Sequence, residues 1–140
     1  LDSVNYVTRP ADLLRAFQRV WLFLAPGGLF VFDVNTPEKL QGLNGGVFLD
    51  ENADTYCVWR ASYARRSRIC TYGMDLFFRT ENGLWRREEE VHQERAYTLE
   101  ELTGLLEEAG FDGIRQYGEL RLRPPRPGEP RVFFTARKPA

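Results

Sequence analysis

The residue best suited to chemistry in this 140-residue chain is His92, its single histidine. Imidazole alone changes charge near neutrality when unperturbed, so a histidine set beside a reacting group can take a proton from it. Glu88, Glu89, Glu90 and Glu94 surround it in sequence, so the same segment also reads as an exposed, charged strand. A second group, Asp33, Asn35 and Thr36, ends an apolar run, and open α/β sheets place ligands at the carboxyl ends of such strands. Thr36 before Pro37 also fits a helix N-cap. A third polar group, Asp2, Ser3, Asn5 and Tyr6, lies at the start of the sequence. Cys57 and Cys70 lack C-x-x-C spacing, and one histidine cannot complete a Cys/His zinc site with them. The expectation is two reduced structural cysteines in a cytoplasmic protein, with no metal.

These candidates must be held by secondary structure, and the spacing of apolar residues predicts it. Proline at residue 10 suits a first helical turn. Leu13, Leu14, Phe17, Val20, Trp21 and Leu24 then recur on one helical face until Pro26-Gly27-Gly28 stops it. Leu29 to Val34 is apolar on both faces, as in a strand buried within a parallel sheet. From residue 42 to 97 the period changes to two, with Cys57, Trp59, Ala61 and Tyr63 alternating in one segment and Cys70, Tyr72, Met74, Leu76 and Phe78 in another. Glu81-Asn82-Gly83 is a hairpin turn, and the charged run 84–96 makes a third strand. Thr98-Leu99-Glu100-Glu101 is a capping box, Gly110 ends the helix it opens, and strands follow at 113–118 and 131–137.

A net charge of -1 supplies no strong field toward nucleic acid or anionic membrane, and no apolar run approaches the ~20 residues of a membrane span. Right-handed crossovers place both long helices on one face of the sheet. The opposite face of the 29–34 strand is then left bare, and the strand beside it has an open pairing edge.

In this order the residues resemble class I S-adenosylmethionine-dependent methyltransferases. The resemblance is carried by Leu24-Ala25-Pro26-Gly27-Gly28 before Leu29-Phe30-Val31-Phe32-Asp33-Val34-Asn35-Thr36-Pro37, by Asp2-Ser3-Val4-Asn5-Tyr6, and by Val91 to Leu102 with Glu107-Glu108-Ala109-Gly110-Phe111. It is closest to a small bacterial group with an antiparallel insertion, similar to sugar N-methyltransferases and glycine N-methyltransferases. The resemblance implies an α/β fold: the C-terminal part of a Rossmann-like sheet, from the end of strand four to strand seven. It divides the chain into a strand–helix–strand part over 1–41, the antiparallel insertion over 42–97, and a final helix with two strands over 98–140.

It also implies roles. Asp2 and Ser3 would face the cofactor; Asn5, Tyr6, Asn35, Arg95 and Tyr97 would contact the methyl acceptor; His92 would act as the base. S-adenosylmethionine would be the cofactor of the complete parent enzyme. The family's glycine-rich cofactor turn does not precede Leu1, and Gly42-Leu43-Asn44-Gly45-Gly46 is no substitute because it does not join a strand to a helix. The expectation is a truncated chain, inactive alone, whose parent methylates a small molecule at nitrogen or oxygen. It would form a homo-oligomer through the bare sheet face or the insertion. The alternative is a non-catalytic dimerisation or binding module derived from such an enzyme. The aromatic residues Tyr56, Trp59, Tyr63, Tyr72, Phe77 and Phe78 suit an acceptor pocket, a core or a dimer interface alike.

Overall fold

A computed structural model describes residues 2–140. Helix α1, Pro10–Phe23, buries Leu13 and Phe17. Gly27, at φ +74°, lets the chain reverse into strand β1, Leu29–Asn35. Helix α2, Pro37–Gly42, follows at once, with Thr36 as its N-cap accepting from the Lys39 N–H. Four antiparallel strands come next: β2 (Val47–Glu51), β3 (Thr55–Ala64), β4 (Ile69–Arg79) and β5 (Trp85–Arg95). Helix α3, Leu99–Glu108, opens on the complete Thr98/Glu101 capping box, and β6 (Asp112–Gly118) and β7 (Arg131–Arg137) end the fold.

The strands form two sheets, ordered β1-β7-β6 and β2-β3-β4-β5. In the first, β7 lies between β1 and β6 and runs antiparallel to both. The expectation of β1 inside a parallel sheet is corrected to this extent: its one described partner is antiparallel. The loop 119–130 is long enough to turn β7 back between the other two. Helices α1 and α3 cover the same face, where Phe17, Val34, Leu102, Leu106 and Phe134 form the main core. Phe32 and Phe134 are register partners, with rings stacked 5.1 Å apart.

On the opposite face Leu29 and Val31 remain 49% and 54% exposed. Both faces of β1 are apolar, but among the described residues only one has a cover. Residues 3–6, expected as the end of a strand, form a turn in which Asn5 N–H donates to the Asp2 carbonyl at 2.9 Å. Leu1 lies outside the described residues.

The second sheet has four strands where period-two alternation predicts three. Strand β2 follows Gly42, Gly45 and Gly46, whose flexibility hides a short edge strand from sequence reading, and it is fixed by Phe48 stacking on Trp59 at 4.0 Å. The face carrying Ala61, Cys70 and Tyr72 packs on Leu40 of α2 and on Ala96, a second core distinct from the first.

Candidate functional site

Where that second core ends, the sheet face continues into a cavity of about 380 Å³. Its roof comes from the 2–6 turn, the end of β1 and α2 with its C-cap, through Asp2 and Tyr6, Asn35, and Lys39 and Leu43. Its floor comes from Trp59 on β3, from Tyr72, Met74 and Leu76 on β4, and from Glu90, His92 and Glu94 on β5. Strand side chains alternate, so β5 presents residues 90, 92 and 94 together to one side.

His92 Nε2 lies 2.9 Å from Glu90 Oε2, and its ring meets the edge of Tyr6 with centroids 6.0 Å apart. A carboxylate on one imidazole nitrogen fixes the ring and leaves the other nitrogen available. Burial, with Glu94 and Asp2 nearby, pushes the Tyr6 phenol upward. Its hydroxyl therefore stays protonated and able to donate.

Asn35 holds the two halves of the site together. Its Nδ2 donates to Glu94 Oε2 at 3.0 Å and to Asp2 Oδ2 at 3.4 Å, and its Oδ1 accepts from Lys39 Nζ at 3.0 Å. Glu94 is only 3% exposed, and burial raises its carboxyl above the usual range against the opposing bonds from Asn35 and Tyr72. Tyr72 in turn interacts with Glu94 and Cys70, and its own hydroxyl is raised, chiefly by burial.

The structure thus brings Asp2, Tyr6, Asn35 and His92 to one cavity. Asn5 stands behind the wall: fully buried, it donates from Nδ2 to the carbonyls of Asn35 and Arg95. Ser3 is exposed in the turn. Arg95 and Tyr97 point elsewhere. Arg95 is out of phase with His92 and Glu94 along β5, and its guanidinium lies 5.4 Å from the Tyr97 ring centre. Tyr97 is 1% exposed, donates to the Val7 carbonyl and is pushed up to about 12 by burial. Glu94 and Lys39 are the wall residues sequence reading passed over. The Glu90-x-His92-x-Glu94 spacing was the available signal, since period two puts all three on one strand face.

The residues present fit only the edge of a cofactor site. Among the described residues no glycine-rich turn joins a strand to a helix: β1 enters α2 through Thr36-Pro37, and β5 reaches α3 through Ala96-Tyr97-Thr98. What the chain offers toward a sulfonium cofactor is the Asp2 carboxylate at the cavity roof.

A β1-β7-β6 order with an antiparallel β7, two helices on one face and an antiparallel sheet inserted after β1 makes up the C-terminal part of a Rossmann-like α/β fold. No protein-family model matches the chain. Over 138 residues it is 28% identical to "Putative methyltransferase YqeM" of Bacillus subtilis and 25% identical to a protein of Geobacillus sp. (strain WCH70) also named "Putative methyltransferase". The matches take in 98% of this chain but 56% of each relative, so the chain spans little more than half their length. An S-adenosylmethionine-dependent methyltransferase from Clostridium acetobutylicum superimposes over the whole chain and 56% of its own length, with a TM-score of 0.87 at 24% identity.

Proposed function

We propose that this chain supplies the acceptor side of an S-adenosylmethionine-dependent methyl transfer to nitrogen or oxygen of a small molecule. The observation that carries the reading is the cavity itself. It is a few hundred cubic ångströms, the size of small-molecule sites, with aromatic walls and a few converging polar groups. When bound, S-adenosylmethionine supplies a methyl group on a sulfonium, ready for in-line displacement. The chain's own residues then contribute position and proton handling, and good positioning alone accounts for a large share of such a rate.

In this reading His92 takes the acceptor's proton and Glu90 holds its ring. Tyr6 contacts the acceptor, and Asn35 fixes the wall, itself held by Asn5. Asp2 and Ser3 border the cofactor, while Arg95 and Tyr97 act from outside as packing for the strand end. The protein works in the cytoplasm, consistent with two free buried cysteines and with the lack, among the described residues, of a helix long and apolar enough to cross a membrane.

The test joins this chain to the N-terminal part of the Bacillus subtilis relative and supplies methyl-labelled S-adenosylmethionine with a panel of small amines and alcohols. Label on one acceptor class, lost in His92→Gln, supports the reading; cofactor binding with no labelled acceptor overturns it.

A second reading, a non-catalytic dimerisation module, is favoured by one observation. Leu29, Val31, Leu120 and Leu122 stay exposed around Tyr117 and Phe133 on the bare face of the first sheet. A homo-oligomer closing that face is compatible with either reading.

A further inference from the structure

Four carboxylates in this fold are largely withdrawn from water, and three of them have a cation. Asp75, whose side chain is 13% exposed, pairs with Arg60 and Arg87. Glu129, at 10%, pairs with Arg123, and Asp33, at 12%, with Arg131. Glu94, the most buried at 3%, makes no ion pair among the described residues. Lys39 bonds Asn35 Oδ1 and acts on Glu94 only through space, without an ion-pair contact. A buried carboxylate without a counter-ion is costly, and such groups are kept where something neutralises them.

The surroundings say what that something is. Glu94 faces the cavity, not a packed core, and the groups around it are Asp2 from the turn, Tyr72 and Cys70 from β4, and His92 and Glu90 on its own strand. Three carboxylates thus face one lysine already bonded elsewhere. The remaining walls are the rings of Tyr6, Trp59 and Tyr72, with Trp59 and Tyr72 packed edge to face at 5.7 Å. Aromatic faces attract cations and repel anions.

We propose that Glu94 is the specificity-determining carboxylate of this pocket and that it selects a small organic amine, taking the amino nitrogen while the aromatic walls take the apolar body. This rests on the acceptor-pocket reading and narrows its acceptor to amines. It is consistent with burial raising the free carboxyl, because an arriving ammonium supplies the charge partner that burial removed.

The experiment is a nuclear magnetic resonance titration of the chain with cyclohexylamine and, separately, with cyclohexanol, a neutral ring of the same shape. The amine is expected to shift the signals of Trp59, Tyr72 and His92 and to bind about tenfold or more tighter than the alcohol, as a charge-assisted hydrogen bond allows. Glu94→Gln keeps the side-chain shape and the acceptor for Asn35, and it should abolish that preference while leaving cyclohexanol unchanged. Glu89→Gln, on the opposite face of β5, should leave both unchanged. Glu94→Asp, which keeps the charge, decides the matter if the glutamine variant is unfolded: it should still prefer the amine. An amine that binds the pocket with its preference intact in Glu94→Gln overturns the role of Glu94 and leaves the pocket standing. Failure of both probes to shift any pocket residue overturns the pocket reading with it.

Discussion

Asn5 and Asn35 exchange a pair of hydrogen bonds across 30 residues of sequence: Asn5 Nδ2 donates to the Asn35 carbonyl at 3.0 Å, and the Asn35 N–H donates to Asn5 Oδ1 at 2.9 Å. The same Nδ2 reaches the Arg95 carbonyl, so one buried amide ties the turn, the end of β1 and the end of β5. The site exists because these three ends are held at one point. Asn5→Ala strands several buried backbone groups and should cost about 2–4 kcal/mol, since each buried group left unsatisfied costs ~1–3 kcal/mol. Urea unfolding measures it; a change under about 0.5 kcal/mol contradicts the clamp.

Glu94→Gln should change how stability depends on pH. Burial raises the folded carboxyl above its unfolded value, so the wild-type contribution is fully present below the unfolded value and is lost as pH rises through the folded one. The glutamine has no such loss. Thermal melts from pH 4 to 8 should therefore show the variant gaining on wild type as pH rises. A variant that holds level with or loses ground to wild type as pH rises contradicts this.

Glu129 behaves in the opposite sense. Bonds from Arg123 and from the N–H groups of Arg126 and Glu119 hold its carboxyl at about 2, below its ordinary value. Its contribution is present above the unfolded carboxylate value and is lost as pH falls through the folded one. Amide exchange of residues 119–130, taken relative to the intrinsic rate at each pH, should accelerate between about pH 4.5 and 2 in wild type. In Glu129→Gln it should be fast throughout; equal protection in both at pH 6 argues against the anchor.

The bare face predicts self-association. Val31 sits at its centre, 54% exposed beside Phe133 and Leu120, and exposed apolar patches of this kind mark interaction surfaces. Sedimentation at micromolar concentration should find oligomers of the wild-type chain, and Val31→Lys should shift them toward monomer. A wild-type monomer at those concentrations removes the proposal.

Much of this was legible in the sequence. The two-sided apolar run at 29–34, the capping box at Thr98 and the glycine stops placed β1, α1 and α3, and handedness put both helices on one face. The alternation of Cys57 to Tyr63 and Cys70 to Leu76 named the inner face of the second sheet. What stayed hidden depended on distance in space. Strand β2 pairs along one edge only, has no buried residue and follows three glycines, so its local pattern is weak. Tyr97 and Arg95 adjoin His92 in sequence, yet strand parity and packing turn them away from the cavity. Glu94 looked like one more charge in an acidic run: strand parity sets it apart from Glu89, and only burial separates it from Glu88 on the same face.

The most direct measurement of the central claim is methyl transfer by this chain joined to the N-terminal part of the Bacillus subtilis relative, with and without cavity substitutions. Transfer to a small acceptor is expected, falling about 10²-fold or more in His92→Gln, the range of a lost general base. Trp59→Ala should raise the acceptor KM with little change in cofactor affinity. Transfer that proceeds unchanged in both variants would contradict the cavity as the acceptor site.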